Sequence, residues 1–228
     1  ESGFGPVTIE GQPERVVTLY EGALDASVAV GANIVGAVIT RGGSDVADYI
    51  QPETDHIAIV GAPAETNIEA VIAARPDLIL AAPRTSEQQY QLLSRVAPVV
   101  VSTVPMFQPD SWVQETELFA QALGREAAGQ AVIDKVENRI AEVRQLVEAT
   151  IPEDRRDATL VRWMPQGPLV MADGLFSASI LQAAGFEVTD NNLVKEGRPH
   201  SEPLSLENLS LMDQNWVVLA TLNEDGEK

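Results

Sequence analysis

The stretch from Glu126 to Ala149 constrains this chain more than any other. Apolar side chains recur at Ala128, Val132, Val136, Ile140, Val143 and Leu146 or Val147, the three-to-four spacing of an amphipathic helix. The opposite face carries Glu126, Lys135, Glu137, Arg139, Glu142, Arg144 and Glu148. Glu126 opens the stretch and Arg144 lies near its end, as the helix dipole favours. At 1.5 Å per residue a helix of about 24 residues is about 36 Å long, the size of a small domain. Gly129 is its one glycine and it contains no proline. Short strand and helix patterns precede it, and a similar pattern resumes after Pro152. The spacing therefore predicts a rigid strut between two α/β lobes, with residues 1–124 as the first lobe, 125–150 as the helix and 151–228 as the second lobe. The competing reading is one long surface helix on a single domain.

In the first lobe, residues 16–19, 34–38, 58–60, 78–80 and 99–101 read as short apolar strands. Helices over 23–30, 68–74 and 87–94 separate them, the last two capped by Asn67 and Ser86. Thr40, Arg41, Gly42 and Gly43 form a turn. Strands that are apolar throughout and alternate with helices predict a largely parallel sheet covered on both faces. In such sheets ligands gather at the carboxyl ends of the strands. Here those ends are Tyr20-Glu21, Thr40-Arg41, Pro83-Arg84-Thr85 and Val104-Pro105-Met106-Phe107.

The second lobe opens with a strand over 159–164. A turn at Pro165-Gln166-Gly167-Pro168 returns the chain as a neighbour over 169–171. A helix over 177–184 ends at Gly185, a short strand follows at 187–189, and Ser205 caps a helix over 206–209 with Glu207 in its first turn. Residues 216–220 form the last strand. A parallel strand needs a crossover and a neighbour, so a sheet that stops there predicts an incomplete second lobe.

The charge balance excludes some functions. With 15 Lys and Arg against 34 Asp and Glu the net charge is −19, which repels phosphate and argues against nucleic acid as the partner. There is no cysteine and there are only two histidines, His56 and His200. They lie far apart in sequence, so neither a disulfide framework nor a protein-ligated metal site is expected. The GxxxxGK[ST] phosphate loop, the GxGxxG fingerprint and the GxSxG elbow are all missing. A two-lobed α/β enzyme stays as the competing class; a binder would return its ligand unchanged.

Several segments, taken in order, resemble the class III substrate-binding proteins of ATP-driven (ABC) importers, which capture ferric siderophores, haem or cobalamin. They are Pro13-Glu14-Arg15-Val16-Val17, Asn67-Ile68-Glu69, Ala74-Arg75-Pro76-Asp77-Leu78-Ile79-Leu80, Leu123-Gly124-Arg125 and Ser205-Leu206-Glu207-Asn208-Leu209. Arg162-Trp163-Met164-Pro165-Gln166-Gly167-Pro168 is similar to the ferric-siderophore branch. The resemblance implies two lobes joined by one helix, with the ligand in the interlobe cleft. It implies a monomeric, non-enzymatic protein outside the cytoplasm, periplasmic or lipid-anchored at the outer face of the cytoplasmic membrane. It also implies that a ferric siderophore is bound with its iron held by the chelator and no further cofactor, and is delivered to an ABC permease in the membrane. The family's export signal and lipid-bearing cysteine do not occur in this sequence, and the family carries a further segment after a strand like 216–220.

An anionic chelate needs cations and apolar faces. Arg41, Arg84 and Arg162 each stand at or just past the end of an expected strand, and guanidinium forks suit carboxylate, catecholate and hydroxamate oxygens. Thr85 adjoins Arg84. Tyr20, Phe107, Trp163, Met164 and Phe176 are the aromatic and thioether candidates, with core packing as the competing role for each. Cobalamin or haem is the alternative ligand within the family; it calls for a broad aromatic cleft or an axial His or Tyr. Glu69 and Glu207 occupy matching places, each two residues after a capping residue. The helix dipole alone accounts for a carboxylate there; the resemblance implies permease docking.

Overall fold

The computed structural model describes residues 2–41, 43–50 and 56–220; Gly42 of the expected turn lies outside them. The chain divides into two compact units. One comprises Glu1–Met106 and Trp112–Asp134, the other Phe107–Ser111 and Lys135–Lys228. The chain thus passes between the units three times, where a single helical connection was expected.

The first unit contains β1 (Val16–Thr18), α1 (Glu21–Ala29), β2 (Ile34–Ala37), β3 (Ala58–Ile59), a small hairpin of β4 (Gly61–Ala62) and β5 (Glu65–Thr66), α2 (Ile68–Ala74), β6 (Leu78–Ala81), α3 (Glu87–Leu93) and β7 (Val99–Val101). After β7 come α4 (Ser111–Ala122) and α5 (Glu126–Thr150). Five strands form one parallel sheet in the order β3-β2-β1-β6-β7. Successive side chains enter opposite faces. Val16, Leu78, Leu80 and Val100 pack with Leu24 of α1 and with Phe119 and Leu123. Val17, Ile79, Val99 and Val101 pack with Val71 of α2 and Leu93 of α3. Helices on both faces explain why these strands are apolar at every position.

Two of the short sequence segments meet at the start of β1. The Asp77 carboxylate accepts from the backbone N–H of Glu14 (2.8 Å) and of Arg15 (2.9 Å). The Arg15 guanidinium donates to the carbonyls of Arg75 (2.9 Å) and Ala74 (2.6 Å), closing the C-terminus of α2. Pro-Glu-Arg and Arg-Pro-Asp are therefore one device that sets β1 beside β6. Asn67 and Ser86 cap α2 and α3 as expected, accepting from Ala70 N–H (3.1 Å) and Gln89 N–H (3.2 Å).

The helix α4 was not foreseen, yet its Phe119 is fully buried. It lies tightly against α5. A Cβ added at Gly129 would stand 2.5 Å from the Ala120 Cβ, so only glycine permits this approach. In α5, Val147 rather than Leu146 turns inward; Leu146 is 63% exposed. The outer edge of β7 is closed by the N-terminal segment. Val101 N–H donates to Ser2 Oγ (2.9 Å), and Gly3 N–H donates to the Val101 carbonyl (3.0 Å).

The second unit is built around β8 (Asp157–Met164), followed by β9 (Gly167–Val170), α6 (Phe176–Ala183), β10 (Glu187–Val188), a 3-10 helix (Leu206–Met212) and β11 (Trp216–Ala220). On one side β8 pairs in parallel with β11. On the other it pairs in parallel with β10 at its start and antiparallel with β9 at its end. Two small clusters form the core: Ala158, Ala178 and Val188, and Val161, Val170 and Met212. β11 is apolar but open: Trp216, Val217 and Leu219 are 43%, 46% and 50% exposed. Ser205 does not cap with its side chain. The 3-10 geometry uses its carbonyl instead, which accepts from Asn208 N–H (2.9 Å).

Candidate functional site

In the first unit the chemistry collects at the carboxyl ends of the strands. The Glu21 carboxylate accepts from Thr40 Oγ1 and from Arg41 N–H, both at 2.7 Å, and so joins the end of β1 to the end of β2. The backbone of Arg41 is fixed while its side chain extends from an exposed residue. After β6, the Ala82 carbonyl accepts from both Thr85 N–H (3.0 Å) and Thr85 Oγ1 (2.7 Å). This turn holds Arg84 in solvent and engages the Thr85 hydroxyl proton. In the second unit Arg162 lies near the end of β8, half-buried, its backbone paired with Leu169 and Ala220.

Among the described residues none of these three guanidinium groups has a hydrogen-bond or ion-pair partner in the protein. Arg15, Arg125 and Arg156, by contrast, are engaged by backbone carbonyls. In a chain of 34 acidic residues, permanently charged forks left unpaired at strand ends are ready donors for an outside anion.

Tyr20 behaves differently from the expectation. Its hydroxyl donates to Glu115 Oε1, and Ser102 Oγ donates to the same oxygen at 3.0 Å. Burial, then the Glu115 charge, raises the phenol far above its ordinary value, so it stays protonated. Its ring meets Phe119 edge to face at 6.0 Å. The polar tip of Tyr20 is thus committed inside the unit and only its ring remains for a ligand. Glu115 lies on α4, the helix that strand-by-strand reading missed. Phe119 and Leu123, four residues apart, were the signal that could have found it.

In the second unit Phe107 is 45% exposed and its backbone is left-handed, φ +68°, a strained conformation for a bulky residue. Its carbonyl accepts from the first N–H of α6, that of Phe176, at 3.1 Å. Ser179 Oγ donates to the Pro109 carbonyl at 3.2 Å. The segment Phe107–Ser111 is therefore pinned on the first turn of α6, with the Phe107 ring left in the open. Arg162, Trp163 and Met164 follow one another on β8, so Arg162 and Met164 share a face and Trp163 lies on the other. Trp163 is 38% exposed; Met164 and Phe176 are half-buried. Each unit thus assembles its own candidates: Tyr20, Arg41, Arg84 and Thr85 in the first, and Phe107, Arg162, Trp163, Met164 and Phe176 in the second.

His200 Nδ1 lies 2.7 Å from the Ser201 carbonyl. Among the described residues no group of three or more His, Cys, Asp or Glu is placed to hold a metal ion. Glu69, in the first turn of α2, and Glu207, in the 3-10 helix, are both exposed.

The profile of the periplasmic binding protein family matches residues 16–228, and the chain belongs to that family. It is 26% identical to the "Probable siderophore-binding lipoprotein YfiY" of Bacillus subtilis over 78% of this chain and 53% of that protein. It is 25% identical to the achromobactin-binding periplasmic protein of Dickeya dadantii over 81% of this chain and 60% of that protein. The chain therefore spans between half and two thirds of the length of these two relatives. Among solved structures, Staphylococcus aureus SirA complexed with staphyloferrin B superposes with a TM-score of 0.78 at 28% identity, over 97% of this chain and 76% of that one.

Proposed function

We propose that this chain is the substrate-binding protein of an iron importer. In this reading it captures a ferric siderophore in the interlobe cleft expected from the sequence and releases it chemically unchanged to an ABC permease. The observation that carries the reading is the set of unpaired guanidinium groups of Arg41, Arg84 and Arg162 at strand ends in a strongly acidic chain. Such groups balance the charge of an anionic chelate whose iron is already ligated, so the protein supplies donors and apolar surface rather than metal ligands. The Phe107, Trp163, Phe176 and Tyr20 rings and Met164 are the apolar surface, and Thr85 contributes an acceptor beside Arg84. Relatives named for siderophore, achromobactin and ferric citrate binding, lipoproteins and periplasmic proteins among them, support the ligand class and a place outside the cytoplasm. Glu69 and Glu207 are the proposed contacts with the permease, and the binding protein acts as a monomer.

Tryptophan fluorescence titrated with ferric catecholate, hydroxamate and citrate chelates, and with cobalamin and haem, tests this. One of the ferric chelates saturates the chain and is recovered intact. A charge-assisted hydrogen bond contributes about 1.5–3 kcal/mol, so each Arg→Ala change weakens that binding roughly 10- to 100-fold, and lysine restores it only in part. Three alanine variants that bind like the parent, or a preference for cobalamin, would overturn the reading.

A further inference from the structure

A carboxylate stands at the end of the first sheet where an anionic ligand is expected. The strand order puts β1 in the middle, with β2 on one side and β6 on the other. Tyr20, two residues past β1, therefore lies between the turn that carries Arg41 and the turn that carries Arg84. Its hydroxyl donates to Glu115 Oε1 on α4, and Ser102 Oγ donates to the same oxygen. Ser102, just past β7, is 2% exposed, and its Oγ accepts from Val104 N–H at 3.2 Å. The serine is thus oriented from behind. The remaining space is set by Gly22 in the first turn of α1. A Cβ there would stand 2.9 Å from Glu115 Oε2 and 2.9 Å from Tyr20 Cε2. The carboxylate and the ring edge share a gap that any larger residue would close by displacing one of them. A negative charge at this end of the sheet opposes an incoming anion, so its presence calls for a use there.

We propose that Glu115, steadied by Ser102 and given room by Gly22, determines which iron complexes are accepted: it holds the Tyr20 oxygen inside the unit, so that the ring, and no oxygen, meets the ligand. This rests on the siderophore reading above and narrows it to complexes whose iron is already fully coordinated. A phenol binds ferric iron as phenolate. The oxygen–iron bond forms as a water leaves the iron, and the phenol proton passes to solvent. Glu115 opposes that exchange in two ways. Its hydrogen bond occupies the hydroxyl, and burial together with its negative charge disfavours the phenolate. A chelate that fills every position on its iron loses nothing by this. A complex with an open position, haem included, finds no phenolate here to fill it. Fixing the hydroxyl also fixes the ring, edge to face with Phe119, so an aromatic face is presented at little cost in rotamer entropy. Glu115 is in this sense a positioning residue that acts through Tyr20.

The test uses the full chain and two kinds of probe. Ferric nitrilotriacetate, whose iron keeps exchangeable water, reports a Tyr20–iron bond through the visible phenolate-to-iron charge-transfer band. The parent is expected to show none. Glu115→Ala, and independently Gly22→Ala, which crowds the carboxylate and the ring apart, should show a band roughly ten-fold or more above the parent's background. Adding Tyr20→Phe to either should abolish it. The second probe is whichever of the ferric catecholate, hydroxamate and citrate chelates saturates the parent, followed by tryptophan fluorescence. Glu115→Ala and Tyr20→Phe should each weaken its binding roughly three- to ten-fold. Their double variant should bind no more weakly than the worse single one, because both changes remove the same contact. A band in the parent refutes the proposal. So does its absence from Glu115→Ala and Gly22→Ala when urea unfolding shows them folded, and so do additive losses in the double variant. Should one of the two fail to fold, the other decides. A parent that binds no ferric chelate, with the band pattern as expected, overturns the siderophore reading while the hold of Glu115 on Tyr20 stands.

Discussion

The two units use similar strand sequences with different results. Leu-Ile-Leu-Ala in β6 and Trp-Val-Val-Leu-Ala in β11 are both apolar throughout. β6 is buried at every position, between strands on both sides and helices on both faces. Among the described residues β11 pairs only with β8, and it is exposed or half-exposed at every position. The first unit also closes its edge strand, with Ser2 and Gly3 hydrogen-bonded along β7. Among the described residues nothing pairs with the outer side of β11. The hydrophobicity of a strand thus states what it is able to bury; the covering helices and edges decide what it does bury.

The largest expected effect tests that contrast directly. Phe119→Ala removes a fully buried ring from the covered face of the first sheet and should cost about 3–5 kcal/mol in urea unfolding. Val218→Ala in β11 should cost under about 1 kcal/mol, because little burial is lost. Equal costs would erase the distinction between the units. The edges differ less. Ser2→Ala deletes the acceptor for Val101 N–H and should cost about 1 kcal/mol.

The smallest effect is one of sign in the pH dependence. Burial raises the Asp25 carboxyl of the first unit above its ordinary 3.8, despite the hydrogen bond from Tyr49. The folded state then holds that proton more tightly than the unfolded one. Its contribution is present below the ordinary value and is lost as pH rises through the raised folded value. In the second unit the backbone and side chain of Asn215 donate to Asp157 and lower its carboxyl. That contribution is present above the ordinary value and is lost as pH falls through the lowered folded value. Asp25→Asn should therefore flatten the loss of stability toward neutral pH, and Asp157→Asn the loss toward acid, in unfolding curves across the acidic range. Slopes of the same sign would show that the two carboxyls do not differ as described.

What sequence could tell followed from period and punctuation. The apolar runs of β1, β2, β6, β7 and β8, the 25-residue helix α5 and the caps Asn67 and Ser86 were legible because each is a local pattern with a local cause. β8 begins at Asp157, two residues before the expected Thr159. Helix α4 escaped because its buried residues, Phe119 and Ala120 among them, are set among Gln and Glu. With it went Glu115, whose bond to Tyr20 spans 95 positions. No local pattern reports a contact at that separation, so in sequence Tyr20 stands as a ligand candidate with core packing as its competing role. Arg41, Arg84 and Arg162 were legible as residues at strand ends. That they have no partner among the described residues is a property of folded geometry alone, as is the strained backbone of Phe107.

The excursion at Phe107–Ser111 has a consequence for the order in which the protein is made. A ribosome delivers residues from the N-terminus, and domains generally mature as units while they emerge. Here α4, which supplies Phe119 to the first core, is synthesised only after the segment that belongs to the second unit. Until then the sheet face formed by Val16, Leu78, Leu80 and Val100 lacks part of its cover. The contact of Ser2 with Val101 closes a span of 99 residues, a slow step beside local helix formation. A nascent chain paused before α4 therefore presents a half-roofed sheet, and the first unit by sequence is not a domain that can be finished first in time.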